Sequence, residues 1–237
     1  MTATGAKRPR VQEGIRARLA RAIASREFAP GEHLPPEADL AVQLGVSRTA
    51  LREAVKGLEA KYMVRSKPRV GTVVLPQEDW ALLDQDVLSW VADLLDVRLF
   101  TQSVLEARRA IEPAAAVLAC RRASLSDLAN IERALDGMQA SEGDPGVFTD
   151  HDLAFHERLL NASHNAVFMQ FVHTIRAGLN MMLLASNKSV DDYTRTVQSH
   201  RALLDALVAR DETAAEACSL ALLQHATEDL GRLHVKG

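Results

Sequence analysis

Over residues 11–24 the apolar positions Val11, Ile15, Leu19, Ala22 and Ile23 fall at helical spacing, and Phe28 follows before the breaker Pro30-Gly31. The spacing predicts a first helix. Pro36 then stands where a helix can begin without losing a hydrogen bond, and the short run Glu37 to Leu44 stops at Gly45. Ser47 is suited to cap a third helix from Arg48 to about Ala60, with Leu51, Val55 and Leu58 facing inward. Two helices joined by a glycine-containing turn form a helix-turn-helix. Residues 63–66 and 70–74 read as two short strands around the basic turn Lys67-Pro68-Arg69, which makes a wing.

Beyond residue 76 the pattern changes. Residues 77–237 contain no convincing strand, and their apolar positions recur at helical spacing. Helices are expected near 83–95, 98–121, 125–140, 146–162, 166–185, 191–209 and 212–233, with a kink at Pro113 and a loop at Gly143-Asp144-Pro145-Gly146. The fold class is therefore mainly α, an N-terminal winged helix-turn-helix (1–76) joined to a C-terminal all-α bundle (77–237) by a short linker at about 77–82.

Charge divides the chain at the same place. Residues 1–76 carry 14 Lys and Arg against 7 Asp and Glu, leaving 14 against 24 for the remainder. A module of net +7 tied to one of net −10 points to a polyanion as partner of the first, because Lys and Arg release counterions when they neutralise phosphates. The 47% hydrophobic content excludes a disordered chain. No apolar run approaches the ~18 residues of a membrane span, and the basic N-terminus lacks the apolar stretch of a secretory signal. Two cysteines outside any CxxC pair fit a reducing compartment, so a soluble, cytoplasmic protein is expected.

The third helix offers Arg48, Thr49 and Arg52 on its exposed face, and arginine pairs bidentately with guanine in the major groove. Lys56, Lys67 and Arg69 suit phosphate or the neighbouring groove. In the second half, Asp152 and His156 stand at i and i+4 on one helix face, while His200 and His225 lie on the last two helices. A bundle can bring such residues together, and one carboxylate with imidazoles suits a divalent ion of the Zn, Ni or Mn type. A reading of another class uses Asp152, His156 and His200 to activate water for hydrolysis. No nucleophile–base pair or phosphate-cradling loop accompanies them, and a hydrolase has little use for a basic winged module.

LPPEADLAVQLGVSRTALREAVKGLEA followed by RVGTVV resembles the GntR family of bacterial transcription regulators over residues 11–75. The resemblance implies DNA contacts from Ser47, Arg48, Thr49 and Arg52 and from the wing, Lys67 to Gly71. Ala38 stands where members often have an arginine, and Tyr62 where they often have glycine. EARRAIEPAAAVLACRRA, DLAFHERLLNASHN and HRALLDALVARDETAA resemble the FCD ligand-binding domain of the FadR-like branch, and the whole chain looks most similar to repressors of galactonate catabolism.

That resemblance implies metal ligands at Asp152, His156 and His200. The family's last histidine falls at Leu222, which leaves three protein ligands completed by water or effector, capture by His225, or no metal. It also implies that Arg108 meets an effector carboxylate; otherwise Arg108 is a surface arginine paired with Glu112 at i+4. Asn165, Arg176 and Asn180 are further polar candidates for effector hydroxyls. The expected protein is a homodimeric repressor that binds double-stranded operator DNA, releases it to a small carboxylate such as galactonate, and has no membrane partner. An activator or dual regulator answering another organic acid is the alternative.

Overall fold

The inward stripe of the first helix does what its spacing predicts: in α1 (Lys7–Ala24), Ile15, Leu19, Ala20 and Ile23 are buried and the helix packs on α3 (Arg48–Glu59). This computed structural model describes residues 7–141, 144–185 and 193–235, with side chains described at 13–141, 144–178 and 193–228. The chain divides into two compact units after Leu95.

In the first unit, α2 (Glu37–Leu44) ends on Gly45 in the left-handed conformation, φ 67°, which glycine adopts without steric cost. The Ser47 hydroxyl accepts from the Ala50 amide at 3.2 Å, satisfying one of the free N–H groups that begin α3. Leu51, Ala54 and Leu58 fill the space beneath, with Val55 partly buried beside them. β1 (Val64–Lys67) and β2 (Gly71–Val74) pair antiparallel with Val64 opposite Val74 and Lys67 opposite Gly71. The turn between them puts Arg69 at φ 64° and Gly71 at φ 106°.

Tyr62 takes φ 58° and is 60% exposed. The left-handed turn before the wing therefore falls on a residue that tolerates it poorly. Tyr62→Gly is expected to raise the stability of the protein by about 1 kcal/mol, the left-handed cost of roughly 1–2 kcal/mol less the extra chain entropy of glycine. Urea denaturation checks this, and a lower midpoint would show that the contacts of the tyrosine ring outweigh the backbone cost.

Residues 77–95 pack with the first unit rather than opening the second. Trp80, Val87, Trp90 and Val91 enter the same core as Leu19, Leu51 and Leu58. The indole of Trp80 donates to the Leu75 carbonyl at 3.0 Å, and Lys61 bridges Asp84 and Asp86 at 2.6 and 2.9 Å. The expected helix at 83–95 is the shorter α4 (Gln85–Val91) followed by a 3-10 turn. Charge marked the edge of the DNA module but could not show that two tryptophans further on complete its core.

The second unit consists of helices among the described residues: α5 (Val97–Arg122), α6 (Leu125–Gln139), α7 (Pro145–Ala162), α8 (Val172–Ala185), α9 (Thr194–Val208) and α10 (Glu212–Val235). Ser124 and Asp127 form a capping box at the start of α6; Asp144 caps α7, whose first residue is Pro145. The expected loop at 143–146 thus ends sooner, with Gly143 outside the described residues. Pro113 falls inside α5, which continues through it. Helix α5 packs on α10, α6 on α7, and α9 on α10, around Phe155, Ile131, Leu135, Leu159 and Leu207.

Candidate functional site

Three helices converge on a buried polar cluster. Helix α7 presents Asp152 and His156 one turn apart, α9 presents His200, and α5 presents Arg108 and Glu112, again one turn apart. His200 Nε2 lies 3.0 Å from Asp152 Oδ1 and 3.4 Å from His156 Nε2; His156 Nε2 lies 3.6 Å from the same carboxylate oxygen. Nδ1 of His200 is 2.8 Å from the Thr196 carbonyl. A carbonyl only accepts, so Nδ1 donates there and Nε2 is the nitrogen that faces Asp152 and His156. On the other ring, His156 Nδ1 makes an ion-pair contact at 2.8 Å with Glu112 Oε2, off the line of the ring N–H.

Both imidazoles and Glu112 are 1% exposed. Burial pushes the Asp152 carboxyl up, but hydrogen bonds and charge from the two histidines outweigh it and hold it well below its usual range. Glu112 follows the same logic: burial raises it, and the opposing charges of Arg108 and His156 bring it down to about 2. His156 is the counterpart, since burial lowers it and the Glu112 charge more than compensates, leaving it raised. One ligand atom from each of Asp152, His156 and His200 lies within 4.8 Å of the others. Electron pairs aimed at a single point need a proton or a cation between them, so this donor set fits a divalent metal ion.

His225 is not brought into that group. Its Nδ1 is 3.0 Å from the Ser199 hydroxyl, while Leu222, at the position of the family's last histidine, is buried in the core. Three residues along α10 turn a side chain to a neighbouring face of the helix, and His225 is not among the described residues whose ligand atoms converge. Asn165 also has other work. Its Oδ1 accepts from the amides of Val167 and Phe168 at 3.0 and 3.3 Å, which starts the 3-10 turn before α8 and explains why that helix begins later than the expected 166. Arg176 is half-exposed and pairs with Glu157 at 3.4 Å; the Asn180 side chain lies outside the described residues.

Arg108 keeps the i+4 partner that its spacing offers but not the surface position. It pairs with Glu112 at i+4, Nε to Oε1 at 2.5 Å, yet it is buried, 4% exposed, rather than on the surface. Its Nη2 has no hydrogen-bond partner. A buried guanidinium nitrogen without an acceptor is costly and rare. Sequence reasoning missed the role of Glu112 as the carboxylate shared by Arg108 and His156; the i, i+4 spacing was the available signal.

In the first unit, Arg48, Thr49, Arg52 and Lys56 lie exposed along α3, and Lys67, Arg69 and Gly71 at the exposed tip of the wing. Ser47 serves as the cap. Arg52 is held by Glu37 of α2 through two contacts, Nη2 to Oε2 at 2.7 Å and Nε to Oε1 at 3.3 Å, and Lys56 pairs with Glu53 at 3.0 Å. Glu37 sets the direction of the Arg52 fork in an exposed pair worth only ~0–1 kcal/mol.

Residues 11–74 match the gntR family of bacterial regulatory proteins, and residues 103–225 match the FCD domain. The chain belongs to the GntR family. It is a DNA-binding transcription regulator with an FCD effector-binding domain and not an enzyme. It is 36% identical over 215 residues to the galactonate operon transcriptional repressor of Escherichia coli (strain K12), covering 90% of this chain and 93% of that one. A putative L-lactate dehydrogenase operon regulatory protein of the same organism is 29% identical over 220 residues, 90% and 84% of the two chains.

Among solved structures, Streptococcus agalactiae GntR aligns with a TM-score of 0.53 at 23% identity, covering 92% of this chain and 99% of that one. Lar, which controls the expression of the Listeria monocytogenes agr system, aligns at 0.64 and 22% identity, covering 94% and 97%. These two likenesses show the fold. No helix among the described residues is long and apolar enough to cross a membrane.

Proposed function

We propose that this GntR regulator is a homodimeric repressor whose FCD domain senses a sugar acid of the aldonate type, with galactonate the best specific candidate. The observation that carries the reading is the buried Nη2 of Arg108, a cationic donor without an acceptor on the helix that also approaches the Asp152, His156 and His200 cluster. An effector carboxylate supplies what that nitrogen lacks, and the planar fork suits it. The likeness to the galactonate repressor narrows the acid class.

Asp152, His156 and His200 hold a divalent metal ion of the Zn, Ni or Mn type, which when bound supplies a Lewis-acidic centre for the effector's oxygen atoms. Each protomer sets α3 in a major groove, with Arg48, Thr49 and Arg52 toward base edges and Lys56, Lys67 and Arg69 toward phosphates. Twofold symmetry matches a palindromic operator. The effector binds the DNA-incompetent arrangement more tightly, and that difference in affinity is all the coupling available.

Calorimetric titration of galactonate, its epimers and L-lactate into zinc-loaded protein tests the effector class. The wild type is expected to select galactonate. Arg108→Lys keeps a charge beside Glu112 but loses the fork, and is expected to weaken the acid by about 1.5–3 kcal/mol, the worth of a charged hydrogen bond. Equal affinity in the two proteins would remove Arg108 from the site.

A further inference from the structure

Glu112 touches both halves of the proposed site. Its Oε1 receives the Arg108 Nε, its Oε2 lies 2.8 Å from His156 Nδ1, and the carboxylate is 1% exposed. A carboxylate buried this deeply must be repaid by its partners, and here those partners are the proposed effector anchor and a proposed metal ligand. We propose that Glu112 is a positioning residue through which anion binding at Arg108 and metal binding at His156 are coupled, each tightening the other. This rests on the reading of Asp152, His156 and His200 as metal ligands and of Arg108 as the effector's anchor.

Two effects meet at this carboxylate. A carboxylate in ion-pair contact with a ligating imidazole holds the ring electrostatically and makes its other nitrogen a stronger donor. Arg108 draws on the same carboxylate and places a cation near His156, which works against a second cation on the ring. An anion arriving at the unpartnered Nη2 offsets the guanidinium charge and leaves Glu112 freer to serve His156. Linkage makes the effect reciprocal, so a bound metal also strengthens the anion.

The test is the zinc affinity of the full chain, measured by competition with a chromophoric chelator in wild type, R108Q, E112Q and R108Q/E112Q. E112Q is expected to bind zinc roughly 10–100-fold more weakly, the range found for outer-shell partners of metal ligands. R108Q, which mimics a neutralised guanidinium, is expected to bind about fivefold more tightly or better. In the E112Q background the same Arg108→Gln change should give a clearly smaller gain, so that the cycle is non-additive.

If E112Q alone fails to fold because it strands a buried arginine, R108Q against R108Q/E112Q carries the comparison without an unpaired charge, and the same 10–100-fold drop is expected. A purely structural Glu112 would lower the melting temperature and leave the cycle additive. Zinc binding by E112Q at wild-type strength, or an equal Arg108→Gln gain in both backgrounds, overturns the coupling alone. A wild-type protein that takes up no zinc overturns the metal reading and this inference with it.

Discussion

Replacing Arg108 with alanine is expected to destabilise the FCD domain by about 3–5 kcal/mol, the usual cost of removing one member of a buried ion pair. Arg108 is 4% exposed and Glu112 1%, so the carboxylate left behind has no water to turn to. The pH dependence identifies the cause. In the wild type Glu112 sits at about 2, so its contribution is complete above the ordinary carboxylate range and is lost only as the pH falls from there toward 2. Without Arg108 the folded carboxyl moves back up toward its ordinary value, so the stability lost on acidification is smaller than in the wild type. His156 acts in the opposite sense. Its raised value means that its contribution is complete below about 6.5, the ordinary histidine value, and fades as the pH rises through the folded value. Urea denaturation between pH 3 and 8, with metal removed by chelator, checks both limbs. An Arg108→Ala protein as stable as wild type at pH 7 would refute the buried pair.

The second large effect is on metal affinity. The His156 value is raised between two carboxylates, so a metal ion bound at the proposed site would have to displace the proton held there. Zinc affinity is therefore expected to fall about tenfold for each pH unit below the His156 value, with the fall beginning above the pH at which an ordinary histidine would start it. His156→Ala removes a ligand outright, and its loss is expected to exceed the ~10–100-fold of an outer-shell change. Chelator competition at pH 6, 7 and 8 measures this. A flat profile would mean that no histidine gives up a proton to the metal, and the cluster would then be a hydrogen-bonded core network.

Much of this was legible in the sequence. The winged unit could be read almost residue by residue, because Gly45, Ser47 and the basic hairpin turn are local signals whose chemistry fixes the backbone within a few positions. Asp152 and His156 were readable as a pair because i, i+4 spacing is also local. That His200 joins them, and that Glu112 stands behind His156, depends on how α5, α7 and α9 pack, which one sequence does not display. The contacts of His225 and Asn165 are set by the same packing. Each is a residue type suited to a ligand, and the fold engages the one with Ser199 and the other with a helix start. The tail of the first unit was hidden by charge, since the acidic stretch after residue 76 carries the two tryptophans that finish a basic domain's core.

The central claim is a repressor whose grip on DNA is released by a sugar acid. Fluorescence anisotropy with the DNA upstream of its own gene tests this most directly, titrating galactonate and its epimers at one stated salt concentration. The account predicts tight binding by wild type, weakening by about 1–3 kcal/mol in Arg52→Ala, and release by one acid but not its epimers. Operator binding that no acid changes, or an Arg52→Ala affinity equal to wild type, would contradict it.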